Sequence, residues 1–598
     1  MTALSRDGGA PLGYRTGMRH VLDVERSILG QPWRWRALAA DQRDGFVPDD
    51  LLTQLLLARG APREALDAHK LPSIRGFMPD PSIFRDMDVA AARLADAVER
   101  AESIAIFGDY DVDGATSSAL LVLLLRALGR EARVYIPDRL AEGYGPNAAA
   151  LERLAADGAT LIVTVDCGAQ AFEALAAARC DVIVADHHQC ATQLPRAVAV
   201  VNPNRRDETE GAAHGHLAAV GVCFLLGAAL IRELRRREYF ATRPEPRLLD
   251  LLDLVALGTV ADVAQLRGLN RAFVAQGLKV MAQRRNVGLA ALTEAARLTR
   301  APTASDLGFA LGPRINAGGR VGRADLGVRL LTTQDPVEAR AIATELDRLN
   351  EERRAIEAMV QEGAEALLCH DRAVCVVAGT GWHAGVIGIV AGRLKEKLGR
   401  PAIVIALDDD GIGKGSGRSI AGVDLGAAVL AAREQGLLIA GGGHAMAAGL
   451  TIAANRVRDF AEWLDARLAE PVATAMAARA LLFDSVVAPG GVTPSLVDAL
   501  EAGGPYGTGW PAPRVAVGPV RAVKVDVVGN GHVRAIVAGD DGRSLKAMAF
   551  RAADTALGQA LLAAGPTRRL WLAGRAKRDD WSGRDVAELH LDDAAWAN

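Results

Sequence analysis

Three carboxylates stand close together in residues 108–114 of the chain. Asp109, Asp111 and Asp113 alternate with apolar or aromatic residues between two glycines. The apolar run 103–107 before them predicts a buried strand, and the leucine spacing after them predicts a helix. Carboxylates packed this densely repel one another unless a cation compensates them, and hard divalent cations prefer oxygen ligands. A solvated acidic turn is the alternative interpretation, and the rest of the chain has to decide between the two.

Two further predicted strands end on residues that can bind metals. The run 160–165 is followed by Asp166, and the run 181–185 leads into Asp186, His187 and His188. Alternating strands and helices predict a parallel sheet, and functional sites form where the carboxyl ends of such strands meet. We therefore expect these side chains to converge, which a solvated acidic surface would not produce.

Asp262 is an isolated acid at the end of the strongly apolar segment 248–263. Burying an unpaired carboxylate is costly, so this side chain must face either solvent or a cation. We interpret it as a candidate for a further metal ligand.

Composition places the chain among ordinary globular proteins. Its 598 residues predict about three or four domains, and half of the residues are hydrophobic. The formal net charge of −3 argues against a protein that coats nucleic acid, so nucleic acid would bind in a local groove. The six cysteines include no CxxC pair and are expected to be reduced. With neither a leader nor a membrane span apparent, we expect a cytoplasmic location.

The second half of the chain predicts a second α/β domain and then a small barrel. Charged helical sequence at 335–370 is followed by strand-type runs at 373–378 and 401–407. Farther on, Gly442 and Gly443 lack a Cβ, so their amides could approach an anion, although a simple turn is the alternative. After residue 505, short alternating runs favour a barrel or a sandwich.

Taken together, these patterns resemble the DHH phosphoesterase superfamily, and within it the RecJ-type single-strand-specific DNA exonucleases. The resemblance extends from about residue 79 to the C-terminal end. It rests on motifs at 108–114, 143–145, 165–168, 186–188, 258–262, 313–320, 381–388, 415–419 and 441–449. Phe107 stands where other DHH proteins have a histidine, which is typical of the RecJ branch.

The resemblance implies an α/β fold with two α/β domains, DHH and DHHA1, joined by a long helix, plus a C-terminal OB-type β-barrel. We predict five segments. They are a helical lead-in (1–80), a DHH catalytic domain (81–334), a connecting helix (335–370), a DHHA1 substrate-binding domain (371–504) and an OB-type nucleic-acid-binding domain (505–598).

The resemblance also implies a 5′ to 3′ exonuclease of single-stranded DNA that acts in DNA repair and recombination. Two ions, Mn²⁺ or Mg²⁺, would clamp the scissile phosphate and activate a water, and the histidine favours Mn²⁺. The implied metal ligands are Asp109, Asp111, Asp113, Asp166, His187 and Asp262. The implied catalytic residues are Asp111, Asp166 and His188, the last acting on the scissile phosphate or the leaving oxygen. The implied substrate contacts are Arg314, Asn316, Arg320, Ser416, Arg418, Ser419, Gly442, Gly443 and His444.

We expect single-stranded DNA as the partner, with no membrane association and a monomeric state. A single-strand-binding protein or a helicase is a candidate protein partner. The barrel would contribute a basic stretch and an aromatic side chain, with a merely charged surface as the alternative. The candidates are Arg568, Arg569, Arg575, Lys577 and Arg578, with Trp571 or Trp581.

Three other functions share part of these features. A DHH phosphodiesterase of very short oligonucleotides or dinucleotides would have the same chemistry but would need no barrel. A non-catalytic replication scaffold should have lost acidic ligands, and here they are all present. An inorganic pyrophosphatase would end near the second domain.

Overall fold

The computed structural model describes residues 20–36, 50–139, 142–369, 371–579 and 583–597. The chain forms two compact units. One comprises residues 73–478 with 507–509, and the other comprises the described parts of 1–72, 479–506 and 510–598. Trp581 lies outside the described residues. None of the described helices combines the length and the apolar character needed to cross a bilayer.

The strands and helices are numbered in chain order. The strands are β1 (Trp33–Trp35), β2 (Ile104–Gly108), β3 (Ala132–Tyr135), β4 (Leu161–Val165), β5 (Asp181–Ala185), β6 (Ala199–Val201), β7 (Cys375–Thr380), β8 (Ala402–Leu407), β9 (Ile412–Arg418), β10 (Ala440–His444), β11 (Ala447–Ala453), β12 (Leu481–Phe483), β13 (Ser485–Val487), β14 (Val515–Val528), β15 (His532–Gly539), β16 (Ser544–Ala549), β17 (Arg569–Arg578) and β18 (Ala587–Trp596).

The α-helices of the described residues are α1 (Leu51–Ala58), α2 (Leu66–Lys70), α3 (Ile74–Phe77), α4 (Met87–Glu99), α5 (Val112–Ala127), α6 (Ala148–Ala156), α7 (Phe172–Ala176), α8 (Ala219–Arg236), α9 (Leu252–Ala261), α10 (Gly268–Met281), α11 (Val287–Ala295), α12 (Ala304–Asp306), α13 (Gly312–Val321), α14 (Leu326–Thr332), α15 (Pro336–Ala366), α16 (Ile387–Leu398), α17 (Leu425–Glu434), α18 (Val457–Ala477), α19 (Pro494–Glu501) and α20 (Ala556–Ala563).

The first sheet of the larger unit is parallel throughout, with the strand order β3-β2-β4-β5-β6. Every residue of β2 and β4 is buried, as their continuous apolar sequences require when helices cover both faces of a sheet. The predicted alternation of strands and helices from residue 103 onward is therefore confirmed. The parallel order places the carboxyl ends of β2, β4 and β5 side by side.

Close helix packing fixes the position of Asp262, the acid that follows α9. All but the last two residues of α9 are buried, and a Cβ at Gly258 would lie 2.3 Å from the hydroxyl oxygen of Thr116 in α5. A Cβ at Gly277 of α10 would lie 2.1 Å from the carbonyl oxygen of Leu252. Only glycine allows both approaches, and they hold the C-terminal end of α9 beside the start of α5.

The long helix α15 confirms the connecting helix predicted at 335–370 and leads into a second sheet. This sheet has the order β10-β11-β9-β8-β7, in which β7 and β8 are parallel and the other pairs are antiparallel. The glycine-rich run at 440–444 forms its edge strand rather than a simple turn.

In the smaller unit, five strands close into a barrel. The order β14-β15-β16-β18-β17 returns to β14 because β14 also pairs with β17. Inward-facing valines and leucines of these strands form its apolar core. The OB-type barrel expected in this region is confirmed, while the predicted domain boundaries stay predictions.

The lead-in differs from the helical segment that we predicted. Residues 33–35 form strand β1, which pairs in parallel with β12, more than 400 positions along the chain. Trp33 is fully buried against Phe483, with ring centroids 4.8 Å apart, and its indole nitrogen donates to Asp593 at 3.3 Å. Distant pairing and aromatic burial thus override the local pattern at 33–35, and among the described residues of the lead-in the α-helices begin with α1.

Asp484 is a buried ionic centre of the same unit. Its Oδ1 accepts hydrogen bonds from Arg59 Nη1 and Arg36 Nε, both at 2.9 Å, and its Oδ2 accepts the amide of Arg514 at 2.9 Å. The side chain of Arg59 is also buried, so each charge depends on the other for compensation.

We expect Asp484→Ala to lower the free energy of unfolding of this unit by about 3 kcal/mol or more, because Arg59 would be left buried and unpaired. Chemical denaturation of the purified chain measures this. Asp498→Ala, which removes an exposed partner of Arg578, is the control and should change stability by less than about 1 kcal/mol. Equal effects of the two substitutions would contradict the assignment of Asp484 as a buried ionic centre.

Candidate active site

Side chains from four segments meet at the carboxyl edge of the parallel sheet. Asp109, Asp111 and Asp113 follow β2, Asp166 follows β4, His187 and His188 follow β5, and Asp262 follows α9. Three groups of these residues each place one possible ligand atom per residue within 4.8 Å of one another. The groups are Asp109 with Asp111 and Asp166, Asp113 with His187 and Asp262, and Asp166 with His187 and His188.

Several buried atoms of this cluster have no hydrogen-bond partner among the described residues. They include Oδ1 of Asp109, Oδ1 of Asp166 and Nε2 of His187. Burial, reinforced by neighbouring carboxylates, raises the pKa of Asp109, Asp166 and Asp262 well above the usual range of a carboxyl group. Buried acceptors that repel one another and lack donors fit a site for hard divalent cations.

His187 is oriented to offer a lone pair to that site. Its Nδ1 lies 3.0 Å from the carbonyl oxygen of Leu217, which can only accept, so Nδ1 carries the proton and Nε2 does not. Burial, together with the charge of His188, lowers the pKa of His187 to about 4. The bare Nε2 lies 3.3 Å from Oδ1 of Asp166, an approach of two acceptors that a shared cation would stabilise.

Asp113 is held by the N-terminus of helix α8. Its two oxygens accept the amides of Ala219 at 2.7 Å and Val220 at 2.9 Å. Burial and the charge of Asp111 nevertheless raise the pKa of Asp113 to about 7. Each oxygen keeps a second lone pair, so this helix terminus orients the carboxylate without saturating it.

Asp186, the first residue of the motif at 186–188, positions His188. Its Oδ1 accepts from Nδ1 of His188 at 2.8 Å, and its Oδ2 accepts the amide of Ala169 at 2.9 Å. Burial alone would lower the pKa of His188, but this hydrogen bond and the charge of Asp186 raise that pKa to about 9. The hydroxyl group of Tyr144 donates to the carbonyl oxygen of Asp166 at 3.1 Å and lies 3.1 Å from His188 Nδ1. His188 therefore carries a proton at neutral pH.

Two asparagines hold the turn that carries both histidines. Asn202 donates to the carbonyl oxygen of His188 at 2.9 Å, and Asn204 donates to those of His187 at 2.5 Å and Gly215 at 3.0 Å. Neither asparagine was among the residues expected from the sequence, although an Asn-Pro-Asn run directly after the short strand β6 indicates a structured turn.

A cluster of arginines faces the carboxylates. Burial, aided by the charges of Arg139 and Arg353 and opposed by Asp111, lowers the pKa of Arg320 to about 10. Burial and the charge of Arg139 also lower the pKa of Arg418. Arg418 donates to the hydroxyl group of Ser416 at 3.1 Å. The structure thus places Arg320, Arg418 and Ser416 in one region, together with Arg139, which the sequence analysis missed.

Other predicted substrate contacts have different surroundings. Arg314 donates to Asp347 at 2.8 Å and to the carbonyl oxygen of Ala310 at 2.7 Å, so its guanidinium group ties α13 to α15. Ser419 is buried and donates to the carbonyl oxygen of Val423 at 2.7 Å. Asn316 is half-buried on α13.

The predicted anion-binding hairpin lies on the edge strand β10. A Cβ on Gly442 would have no neighbour within 4 Å, so this backbone is accessible. Gly443 has a φ of +148°, and a Cβ there would lie 2.4 Å from the carbonyl oxygen of Ala447. His444 is exposed, and no side-chain hydrogen bond joins it to another described residue. These three residues stay predictions for substrate binding.

In the smaller unit, much of the predicted basic stretch is already paired. Arg569 donates to Asp540 at 3.0 Å and Arg578 donates to Asp498 at 2.8 Å. Lys577 lies 3.4 Å from Glu501, Arg575 lies 3.8 Å from Asp592, and Arg568 stacks over Trp596, while Trp571 is half-buried. An exposed aromatic group lies elsewhere on the barrel, where Phe550 contacts the rings of His532 and His590.

Trp510 is buried in the same unit. Its indole nitrogen donates to the carbonyl oxygen of Gly503 at 2.8 Å, and its ring stacks on His69 with centroids 6.0 Å apart. These contacts give it a structural role.

We expect Asn204→Ala to weaken Mn²⁺ binding by about ten- to hundredfold, because the turn that carries His187 would lose its side-chain support. Calorimetric titration with Mn²⁺ measures the affinity. Asn286→Ala, which removes the cap of α11, is a control for a general loss of stability and should leave the affinity unchanged. An unchanged affinity in a folded Asn204→Ala variant would remove the support role.

Comparison with known proteins gives consistent matches along the chain. The DHH family N-terminal domain matches residues 103–259, the DHHA1 domain matches 371–470, and the RecJ OB domain matches 483–593. The single-stranded-DNA-specific exonuclease RecJ of Dickeya dadantii is 40% identical over 520 residues, which are 82% of this chain and 88% of that protein.

Solved structures give the same result. The crystal structure of RecJ from Thermus thermophilus in complex with Mn²⁺ matches with a TM-score of 0.74 and 30% identity, covering 91% of this chain and 75% of that one. The structure of RecJ from the same organism with Mg²⁺ matches with a TM-score of 0.69 and 29% identity, covering 91% and 74%. With its carboxylate and histidine cluster, its second α/β domain and its closed barrel, this chain belongs to the RecJ family.

Proposed function

We propose that this chain is a metal-dependent exonuclease that hydrolyses single-stranded DNA in the 5′ to 3′ direction, in DNA repair and recombination. The observation that carries the proposal is the convergence of the acidic residues and His187 at one sheet edge, next to a group of arginines. The activity named for the relatives supports the substrate class.

The cluster would hold two ions, Mn²⁺ or Mg²⁺, through Asp109, Asp111, Asp113, Asp166, His187 and Asp262. When bound, the ions supply Lewis acidity toward a phosphoryl oxygen and lower the pKa of a water molecule. The relatives crystallised with Mn²⁺ or Mg²⁺ support this choice of metals.

His188 would act on the leaving group. Its Nδ1 is bonded to Asp186, which keeps the ring protonated and leaves Nε2–H to donate to the scissile phosphate or to the departing oxygen. Asp186 thereby has a positioning role, and it is the partner that lets a histidine remain protonated in a half-buried place.

The arginines would select the end of the strand. Arg139, Arg320 and Arg418 lie close enough together to influence one another electrostatically, and Ser416 adds a hydroxyl group. A terminal 5′-phosphate carries more charge than an internal phosphodiester and would bind there preferentially. Such a site beside the metal centre would release short products from the 5′ end, which corresponds to an exonuclease acting in the 5′ to 3′ direction.

Asp166→Ala should abolish cleavage, because Asp166 belongs to two of the three ligand groups and both would lose an oxygen. Release of nucleotides from 5′- and 3′-labelled single-stranded and duplex DNA and RNA, with Mn²⁺ or Mg²⁺, measures this. The same assay with a dinucleotide tests the short-substrate alternative. Cleavage at near-normal rate by Asp166→Ala under saturating Mn²⁺ would refute the two-metal assignment.

Arg418→Ala should raise the KM for 5′-phosphorylated single strands by about tenfold, the effect of losing one charged hydrogen bond of about 1.4 kcal/mol. The KM for 5′-hydroxyl strands should change less, and Mn²⁺ affinity should stay the same. Arg458→Ala on the outer helix α18, whose arginine side chain is 86% exposed, is the control. An equal rise in KM for both kinds of strand would argue against an end-binding site.

The cellular context extends the same proposal. We infer a cytoplasmic, monomeric enzyme that receives its single strands from a helicase or a single-strand-binding protein. The barrel would bind part of the strand, and its exposed Phe550 is more available for stacking on a base than the paired arginines of β17 are for phosphate contacts.

A further inference from the structure

One buried carboxylate on the connecting helix joins two arginines. Glu357 of α15 has a side chain that is 1% exposed. Its Oε2 accepts from Nη1 of Arg353, one turn earlier, at 2.5 Å, and its Oε1 forms an ion pair with Arg393 of α16. Arg353 also donates to the side chain of Asn350 at 3.0 Å. One carboxylate thus pairs with an arginine of its own helix and with an arginine of α16, in the same larger unit.

Two further pairs continue along the same two helices. Arg393 donates to Gln361 at 2.9 Å, and Lys397 donates to Glu365 at 2.7 Å. Residues 357, 361 and 365 are spaced by four, so they lie on one face of α15. The two cations of α16 are about equally exposed, Arg393 at 52% and Lys397 at 54%, but the Glu357 carboxylate is 1% exposed whereas that of Glu365 is 28% exposed. The pair made by the buried Glu357 carboxylate should therefore contribute more to the docking of α16 than the pair made by Glu365, because exposed pairs contribute little.

The other end of α16 is anchored to the metal-binding domain. Arg320 of α13 donates to the carbonyl oxygen of Gly385 at 2.8 Å, just before α16 begins. On the first turn of α16, a Cβ at Gly388 would lie 2.9 Å from the hydroxyl oxygen of Ser416 and 3.1 Å from Nη2 of Arg418. A shift of α16 would therefore shift Ser416 and Arg418.

The negative charge of Glu357 also offsets repulsion between the arginines around it. Arg353 lies close enough to Arg320 for its positive charge to lower the pKa of that guanidinium group. Without Glu357, Arg353 and Arg393 would be left as like charges between the two domains, next to the arginines of the phosphate site. Repulsion would then favour separation of α16 from α15.

We propose that Glu357 is a positioning residue that sets how close Ser416 and Arg418 stand to the carboxylate cluster. It thereby governs capture of the terminal phosphate of the DNA strand. This inference rests on the proposed function for its ligand but not for its geometry. It assigns the connecting helix a part in substrate binding beyond that of a spacer.

Glu357→Gln in the full chain tests the proposal. We expect a KM for 5′-phosphorylated single-stranded DNA about tenfold higher, which corresponds to a drop of the binding-competent arrangement to about a tenth of the population. The kcat should stay within about twofold, since bound substrate restores the arrangement. The preference for 5′-phosphate over 5′-hydroxyl strands should shrink, and Mn²⁺ affinity should not change.

Two further variants separate positioning from stability. Glu365→Gln removes the exposed pair of the same two helices and should leave KM unchanged. Glu357→Asp keeps the charge, and its KM should lie between those of Glu357→Gln and of the unaltered chain. A folded Glu357→Gln variant with unchanged KM would overturn the proposal. So would a variant whose kcat and thermal stability fall while its KM and its preference for 5′-phosphate strands stay unchanged.

Hydrogen–deuterium exchange supplies a readout that does not need activity. Amides of α16 should exchange faster in Glu357→Gln than in the unaltered chain or in Glu365→Gln. Unchanged exchange would overturn the proposal whatever the kinetics show. If the unaltered chain cleaved no single-stranded DNA while exchange in α16 rose as expected, the proposed function would fail and the positioning of α16 by Glu357 would stand.

Discussion

Mutual repulsion among buried carboxylates is the constraint on which the rest of the structure depends. Four segments deliver acids and histidines to one sheet edge, where buried oxygens of Asp109 and Asp166 have no hydrogen-bond donor among the described residues. The α8 terminus binds Asp113, and Leu217 fixes the proton of His187. Such an arrangement is costly until a cation compensates it, so the scaffold around it must be rigid. The fully buried β2 and β4 and the glycine contacts of α9 supply that rigidity.

The two histidines show how position alone separates two chemical roles. They are adjacent in sequence, yet His187 donates to a backbone carbonyl group and has a pKa of about 4, whereas His188 donates to Asp186 and has a pKa of about 9. A neutral imidazole can act as a ligand, and a protonated one can serve a leaving oxygen. The difference comes from burial and from the charge of each hydrogen-bond partner.

Electrostatic balance also links the two α/β domains of the larger unit. Acids predominate at the sheet edge and arginines predominate around Ser416, so an anionic substrate with divalent cations satisfies both sides. Glu357, on the connecting helix, pairs with two further arginines, Arg353 and Arg393. The long helix thus contributes charge as well as length, and its buried polar side chains explain why its sequence is not simply that of a solvated spacer.

The sequence by itself determined the parallel sheet, the carboxylates and histidines at its strand ends and the connecting helix, because hydrophobic period and strand-end motifs are local signals; the choice of a barrel over a sandwich came from the family resemblance. Only the tertiary structure decided which arginines are available. Arg314 and much of the basic stretch of β17 are committed to acids that lie far away in sequence, whereas Arg139 joins Arg320 and Arg418. It also decided that β1 pairs with β12 and that Asp186, Asn202 and Asn204 support the histidines. Partners of this kind depend on chain crossings that no local pattern encodes.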